Sequence, residues 1–136
     1  MAENRGVRWM NDSKGTNIGA CQAAVAGIGS QLAGKIVLLL GGDGKGADFG
    51  ELASLVTQYC RAIIVMGKDA ALISAALGNL VTTFHVNTMH QAVEQAADCA
   101  LSGDVVLLSP ACSSLDQYQN FSHRGEVFVE TVNAIL

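Results

Sequence analysis

Three short stretches hold most of the residues of this chain that could do chemistry. Asn11-Asp12-Ser13-Lys14-Gly15-Thr16-Asn17 combines a carboxylate, a lysine and two hydroxyls. Gly41-Gly42-Asp43-Gly44-Lys45-Gly46-Ala47-Asp48-Phe49 sets Asp43 and Lys45 among four glycines. Ser109-Pro110-Ala111-Cys112-Ser113-Ser114-Leu115-Asp116 offers three hydroxyls and a thiol. Lysines, hydroxyls and bare backbone N–H groups are what an anionic small molecule requires of a binding site. Each stretch follows an apolar run that reads as a strand, and in an open α/β sheet the segments just past the strand ends form the ligand crevice.

The first stretch runs from a strand end into a helix start, where free N–H groups and the helix dipole favour an anion. Lys14 adds a full charge. Thr16 is suited either to cap that helix or to give its hydroxyl to a ligand. Asp12 is suited either to accept from a ribose hydroxyl or to hold a lysine. Ser13 and Asn17 support the loop. The second stretch invites a P-loop reading, which fails. The pattern G-x-x-x-x-G-K-[ST] needs glycine at position 39, which is Leu39, and a hydroxyl at position 46, which is Gly46. What remains is a backbone that a ligand can approach closely, with Asp43 and Lys45 projecting from it. In the third stretch a serine nucleophile would need a histidine and an acid. His123 is in the right region of the chain, but the context is not Gly-x-Ser-x-Gly. Ser114 therefore reads as a hydrogen-bond donor to a ligand. His85 and His90 lack the spacing of a helical metal pair, and no metal site is expected. Trp9 and Phe84 read as packing residues, whereas Phe49 and Phe121 lie beside the loops.

The elements that must position these loops alternate along the chain. Val7–Met10, Ile36–Leu40, Ala62–Met66, Val81–Val86 and Val105–Leu108 read as strands. Ile36–Leu40 is continuously apolar, as a strand buried on both faces is. Helical spacing follows each of them: 16–27, the run carrying Leu52, Leu55, Val56 and Tyr59, the run carrying Leu72, Ile73, Ala76 and Leu77, 89–101, and 126–136. Asp69 and Thr88 are placed to cap the third and fourth of these, and Gly78 and Gly103 to stop them. The pattern predicts an α/β fold, a Rossmann-like, doubly wound, mostly parallel sheet of five to six strands with helices on both faces.

Composition bounds the rest. The 136 residues fit one domain. The net charge is −4 with no basic cluster, so nucleic acid is not an expected partner. No apolar run approaches the ~20 residues that span a bilayer. Charged residues make up 15%, against a typical value of about 25%. This fits either a surface partly covered by another protein or domain or simply an Ala- and Gly-rich α/β chain. Cys21, Cys60, Cys99 and Cys112 form no Cys-x-x-Cys pair and read as reduced, mostly buried thiols.

As a set, the loops resemble the C-terminal domain of the Mur ligases, in the branch that adds D-glutamate. The resemblance rests on Val7-Arg8-Trp9-Met10-Asn11-Asp12-Ser13-Lys14-Gly15-Thr16-Asn17, on Leu38-Leu39-Leu40-Gly41-Gly42-Asp43-Gly44-Lys45, on Leu107-Leu108-Ser109-Pro110-Ala111-Cys112-Ser113-Ser114-Leu115-Asp116, and on Phe121-Ser122-His123-Arg124-Gly125. It covers nearly the whole chain after the first few residues. The Asp-Ser-Lys-x-Thr-Asn stretch is its specific part. Sister ligases that add other amino acids, and the folylpolyglutamate synthases, carry Asp-Tyr-x-His or Asp-x-Ala-His-Asn-type sequences there.

The resemblance implies an ATP-dependent ligase of peptidoglycan synthesis in the bacterial cytoplasm, a monomer that uses Mg2+. ATP would phosphorylate the carboxylate of UDP-N-acetylmuramoyl-L-alanine, and the amine of D-glutamate would attack the acyl phosphate. Thr16, Lys45 and Ser114 would hold the two carboxylates of D-glutamate, with backbone help near Leu115 and Phe121. Asp12 and Lys14 would face the nucleotide of ATP or ADP. The chain lacks the family's phosphate-binding Gly-x-x-x-x-Gly-Lys-[ST] and its two preceding domains, so it reads as a fragment that turns over no ATP on its own. Gly15 and Gly46 replace small residues often found there, and local flexibility is the expected result. Two other readings compete: a stand-alone module binding a nucleotide or acidic metabolite, and a small hydrolase using Ser109 or Ser114.

Overall fold

The computed structural model describes residues 2–114 and 118–135, and Leu115 lies outside the described residues. The elements in chain order are β1 (Ala2–Asn4), β2 (Val7–Asn11), α1 (Ile18–Gly29), β3 (Ile36–Gly41), a 3-10 turn (Phe49–Leu52), α2 (Ala53–Tyr59), β4 (Cys60–Met66), α3 (Ala70–Leu77), β5 (Thr82–His85), α4 (Met89–Cys99), β6 (Val105–Leu108) and α5 (Phe121–Ile135). They form one sheet in the order β1-β2-β6-β3-β4-β5. All neighbours pair in parallel except β1, which runs antiparallel to β2.

The alternation along β3 shows how the sequence builds two cores. Ile36, Leu38 and Leu40 face one apolar cluster, and Val37 and Leu39 face the other. The first cluster is closed by Cys21 and Val25 of α1, Val56 of α2, and Ile73 and Leu77 of α3. The second is closed by Ala92, Val93 and Ala96 of α4 and by Phe128 and Val132 of α5. Helices therefore cover both faces, as the doubly wound reading expects. Fully buried Leu38, Leu39, Leu40, Ile63 and Ile64 each contribute roughly 1.5–3 kcal/mol by leaving water.

This winding decides where the three loops lie. β2 and β3 send the chain into helices on the first face. β6 lies between them and sends it into α5 on the second face. The loops part at the carboxyl end of β6, the switch point at which open α/β sheets bind their ligands.

Four expectations need correction. β1 was not expected, because Ala2-Glu3-Asn4 carries no apolar pattern. It forms because Arg5 and Gly6 both take positive φ, 55° and 78°, and close a two-residue hairpin. The last helix begins at Phe121 rather than Glu126. Gly125 argues against helix by propensity, but here it lets α5 press against the end of β2: a Cβ on it would lie 2.8 Å from Asn11 Nδ2. Thr16 does not cap α1. Asn17 does, its Oδ1 accepting from Ala20 N–H at 2.8 Å. Asp69 makes no side-chain cap on α3, because its Oδ2 is taken by Gly44 N–H at 2.7 Å. Thr88 caps α4 as expected, accepting from Gln91 N–H at 3.1 Å.

The far end of the sheet is clamped by buried Asp104. Its carboxylate accepts from Arg61 Nε at 2.7 Å and Nη2 at 3.1 Å, and from the N–H groups of Lys35 and Leu101 at 2.9 and 2.8 Å. Burial pushes its pKa up, but the Arg61 guanidinium and the two backbone donors outweigh burial and hold it below the ordinary carboxylate value.

Candidate functional site

The three loops meet past the carboxyl ends of β2, β6 and β3, and backbone hydrogen bonds tie them together. Asp12 N–H donates to Leu108 C=O at 2.7 Å, continuing the β2–β6 ladder. Ala111 N–H donates to Gly15 C=O at 2.8 Å, which joins the first loop to the third. Gly41 N–H donates to Pro110 C=O at 3.1 Å, and Asp43 and Ser113 exchange N–H···O bonds of 3.0 and 2.8 Å, which joins the second to the third. These links leave little freedom in how the side chains face one another.

Beneath them lies Arg124, a residue that reading by type and spacing did not single out. It is 3% exposed. Its Nε donates to Ser13 Oγ at 2.9 Å, Nη2 to Ser13 C=O at 2.8 Å, and Nη1 to Cys112 C=O at 3.0 Å. Ser13 Oγ in turn donates to Phe121 C=O at 2.6 Å. One planar guanidinium thus fixes the first loop, the third loop and the start of α5. Its only sequence signal was its place in Phe121-Ser122-His123-Arg124-Gly125. Ser13 is therefore a buried structural link.

Thr16, Lys45, Ser113, Ser114, Asn120 and Phe121 line one cleft of about 230 Å³. Four of the five residues expected to hold an amino acid, Thr16, Lys45, Ser114 and Phe121, are thus brought together; Leu115 is the fifth. Asn120 and Ser113 were not expected there. Asn120 Oδ1 accepts from His123 N–H at 2.8 Å, capping α5. Lys45 is exposed and takes a positive φ of 53°. Only about a few per cent of non-glycine residues do so.

Asp12 and Lys14 line two other clefts. One, of about 510 Å³, runs between the first loop and the exposed side of α5 past Val129 and Glu130. The other, of about 600 Å³, runs along α1 past Ala20, Ala24 and Ile28. Phe121 belongs to both the first of these and the smaller cleft. The residues expected to face a nucleotide thus lie beside, and not inside, the cleft of Thr16 and Lys45. Asp12 Oδ2 accepts from Ser109 Oγ at 2.8 Å. Ser109 C=O accepts the Cys21 thiol at 3.1 Å, and burial pushes the Cys21 pKa up to about 12.

The Ser109–Asp12 bond bears on both the serine hydroxyls and Gly15. Ser109 is buried and gives its hydroxyl to Asp12, while His123 Nδ1 accepts from Gln119 N–H at 3.2 Å. Among the described residues no Ser–His pair of the nucleophilic kind forms. Gly15, expected to add flexibility, instead allows close packing. A Cβ there would meet Ser109 Oγ at 2.6 Å and Asp12 Oδ2 at 2.9 Å. The four cysteines are in no disulfide, three of them buried and Cys99 half-buried. Among the described residues, no three or more His, Cys, Asp or Glu side chains are grouped to hold a metal ion.

A family profile described as Mur ligase, glutamate ligase domain, matches residues 1–112. The chain belongs to the Mur ligase family. This Mur ligase domain is 52% identical over 135 residues to the UDP-N-acetylmuramoylalanine--D-glutamate ligase of Pseudomonas savastanoi pv. phaseolicola, covering 99% of this chain and 30% of that one. It is 52% identical over 130 residues to the protein of the same name from Legionella pneumophila strain Lens, covering 96% of this chain and 29% of that one. The Mur ligase domain therefore spans about 30% of the length of these curated relatives. Among solved structures it is similar to the MurF ligase of Thermotoga maritima in complex with ADP, with a TM-score of 0.65 at 16% identity over 98% of this chain and 29% of that one. It is equally similar to a murein peptide ligase from Psychrobacter arcticus 273-4, with a TM-score of 0.65 at 10% identity. At such identities the likeness speaks for the fold of the Mur ligase domain alone.

Proposed function

We propose that this chain is the amino-acid-binding, nucleotide-facing domain of an ATP-dependent ligase that joins D-glutamate to UDP-N-acetylmuramoyl-L-alanine in peptidoglycan synthesis. The convergence of Thr16, Lys45, Ser114 and Phe121 on one small cleft carries the reading. Its volume is below the roughly 300–1,000 Å³ of sites for drug-sized ligands, which suits a single amino acid. A dianionic amino acid is matched there by Lys45, the hydroxyls of Thr16 and Ser114, and the backbone at the start of α5. The names of relatives half identical to this chain support D-glutamate as that amino acid.

In this reading the carboxylate of the UDP-linked alanine is activated as an acyl phosphate, and the D-glutamate amine displaces phosphate. The residues of this chain orient rather than transfer protons. Thr16, Ser114 and Lys45 hold the D-glutamate carboxylates so that the amine faces the acyl phosphate, a positioning contribution. Asp12 Oδ2 is already committed to Ser109, which leaves Oδ1 for a ribose hydroxyl, and Lys14 faces phosphate. Mg2+ accompanies ATP and is assigned to no residue of this chain. No described helix is long and apolar enough to cross a membrane. A monomer in the bacterial cytoplasm completes the proposal.

Substituting Lys45→Ala in the whole ligase tests it. A hydrogen bond to a charged group is worth about 1.5–3 kcal/mol, so KM for D-glutamate should rise at least about tenfold. KM for UDP-N-acetylmuramoyl-L-alanine should stay within a small factor. A defect confined to ATP would contradict the assignment. The isolated 136-residue chain should neither hydrolyse ATP nor form the amide; ATP turnover above that of its Lys45→Ala variant would refute this.

A further inference from the structure

We propose that Asp43 is a positioning residue of the anion site: one carboxylate oxygen holds Lys45 in its left-handed conformation, while the other draws in Lys68 and so offsets the charge that Asp43 would present to an anionic ligand. The proposal deepens the functional reading and rests on it for the identity of the ligand.

The geometry is specific. Asp43 Oδ1 accepts from Lys45 N–H at 2.9 Å, and its Oδ2 pairs with Lys68 Nζ at 3.4 Å. Its backbone is bridged to Ser113 in both directions, so the carboxylate cannot drift away from the cleft edge. Lys45 sits at φ 53°, a conformation that costs a side-chain-bearing residue energy unless its surroundings hold it. Two contacts hold it here: the Asp43 carboxylate on Lys45 N–H, and Asp69 Oδ2 on the N–H of neighbouring Gly44 at 2.7 Å. The Lys45 N–H, burial and the Lys68 ammonium act on the Asp43 carboxyl in that order of size, and their balance lowers its pKa.

An aspartate two residues from the lysine that meets the ligand would otherwise repel a dianion. Lys68 enters from the turn after β4 and is exposed, so its effect is screened and small. The holding of Lys45 is the larger effect, because it decides whether the ammonium reaches the cleft.

Amide exchange at Lys45 in the 136-residue chain, with Asp43→Asn and Asp43→Ala, tests the positioning directly. Asn keeps an acceptor for Lys45 N–H and Ala does not. Wild type and Asn should protect the Lys45 amide alike, and Ala should speed its exchange about tenfold or more. In the whole ligase KM for D-glutamate should follow the same order, with kcat nearly constant. Lys68→Met should raise that KM about two- to fivefold. Equal Lys45 protection in all three chains overturns the proposal. So does an Asn variant exchanging as fast as an unstructured amide, which decides the matter even if the Ala variant does not fold. If protection follows the expected order while Lys45→Ala leaves KM for D-glutamate unchanged, the functional reading fails and the control of Lys45 by Asp43 stands.

Discussion

Two residues carry more of the site than their types suggest. Arg124 replaces water for three acceptors that the fold has buried, Ser13 Oγ, Ser13 C=O and Cys112 C=O. A lysine cannot reach all three from one rigid plane. Arg124→Lys is expected to lower stability by about 3 kcal/mol, through buried acceptors left unpaired. At a typical slope of about 2 kcal/mol/M this moves the urea midpoint down by about 1.5 M. An unchanged midpoint would mean that the three bonds are not stabilising. Gly15 makes the second case. A methyl group there strikes Ser109 Oγ, so Gly15→Ala should cost about 1–3 kcal/mol by overpacking. Removing the obstacle with Ser109→Ala should return part of that loss. A double-mutant cycle by urea denaturation measures the coupling, and strict additivity would contradict the packing argument.

At the scale of the element, the start of α1 separates folding from binding. Asn17 caps the helix and neighbouring Thr16 faces the cleft. Asn17→Ala should therefore cost about 0.5–2 kcal/mol of stability. Thr16→Ala should leave the denaturation midpoint close to wild type, so a change in ligand affinity in that variant reports on the site alone. Equal destabilisation by both would show that the cap is shared. The strands β5 and β2 differ in the same functional sense. β2 feeds the site, whereas β5 ends away from it and is only half-buried.

For the whole molecule, the sheet has a polar end that carries the proposed site and a polar end that clamps. Asp104 is the centre of the clamp, tying β6 to Arg61 of β4 and to Lys35 before β3. Its folded pKa lies below its unfolded one. The stabilisation is therefore complete above the ordinary aspartate value and is lost as pH falls through the lowered folded value. Urea midpoints measured from pH 7 down to about pH 3, below the unfolded aspartate pKa of about 3.9, should fall in acid. Asp104→Asn should be weaker at pH 7 and flatter across the acid range. Parallel pH profiles for the two chains would rule out this source.

The sequence by itself determined the doubly wound α/β class and the three loops, because these follow from local signals, whereas the grouping of Thr16, Lys45, Ser114 and Phe121 came only from the resemblance to the Mur ligases. A buried parallel strand needs a continuous apolar run such as Ile36–Leu40, and clustered glycines such as Gly41-Gly42-Asp43-Gly44 mark a loop. In the fold the bare backbones of Gly41 and Gly42 press on Met66 C=O and Ser113 C=O rather than lining the cleft. Tertiary structure alone decided that the loops meet. Adjacency depends on β6 inserting between β2 and β3, and nothing local to β6 records its neighbours. It alone also decided that Arg124 is buried, since a charged side chain goes inside only where distant segments bring it acceptors. The left-handed backbone of Lys45 belongs to the same class. A lysine has no local preference for that conformation, and the loop that carries it is bridged in the fold to Ser113 of the third loop.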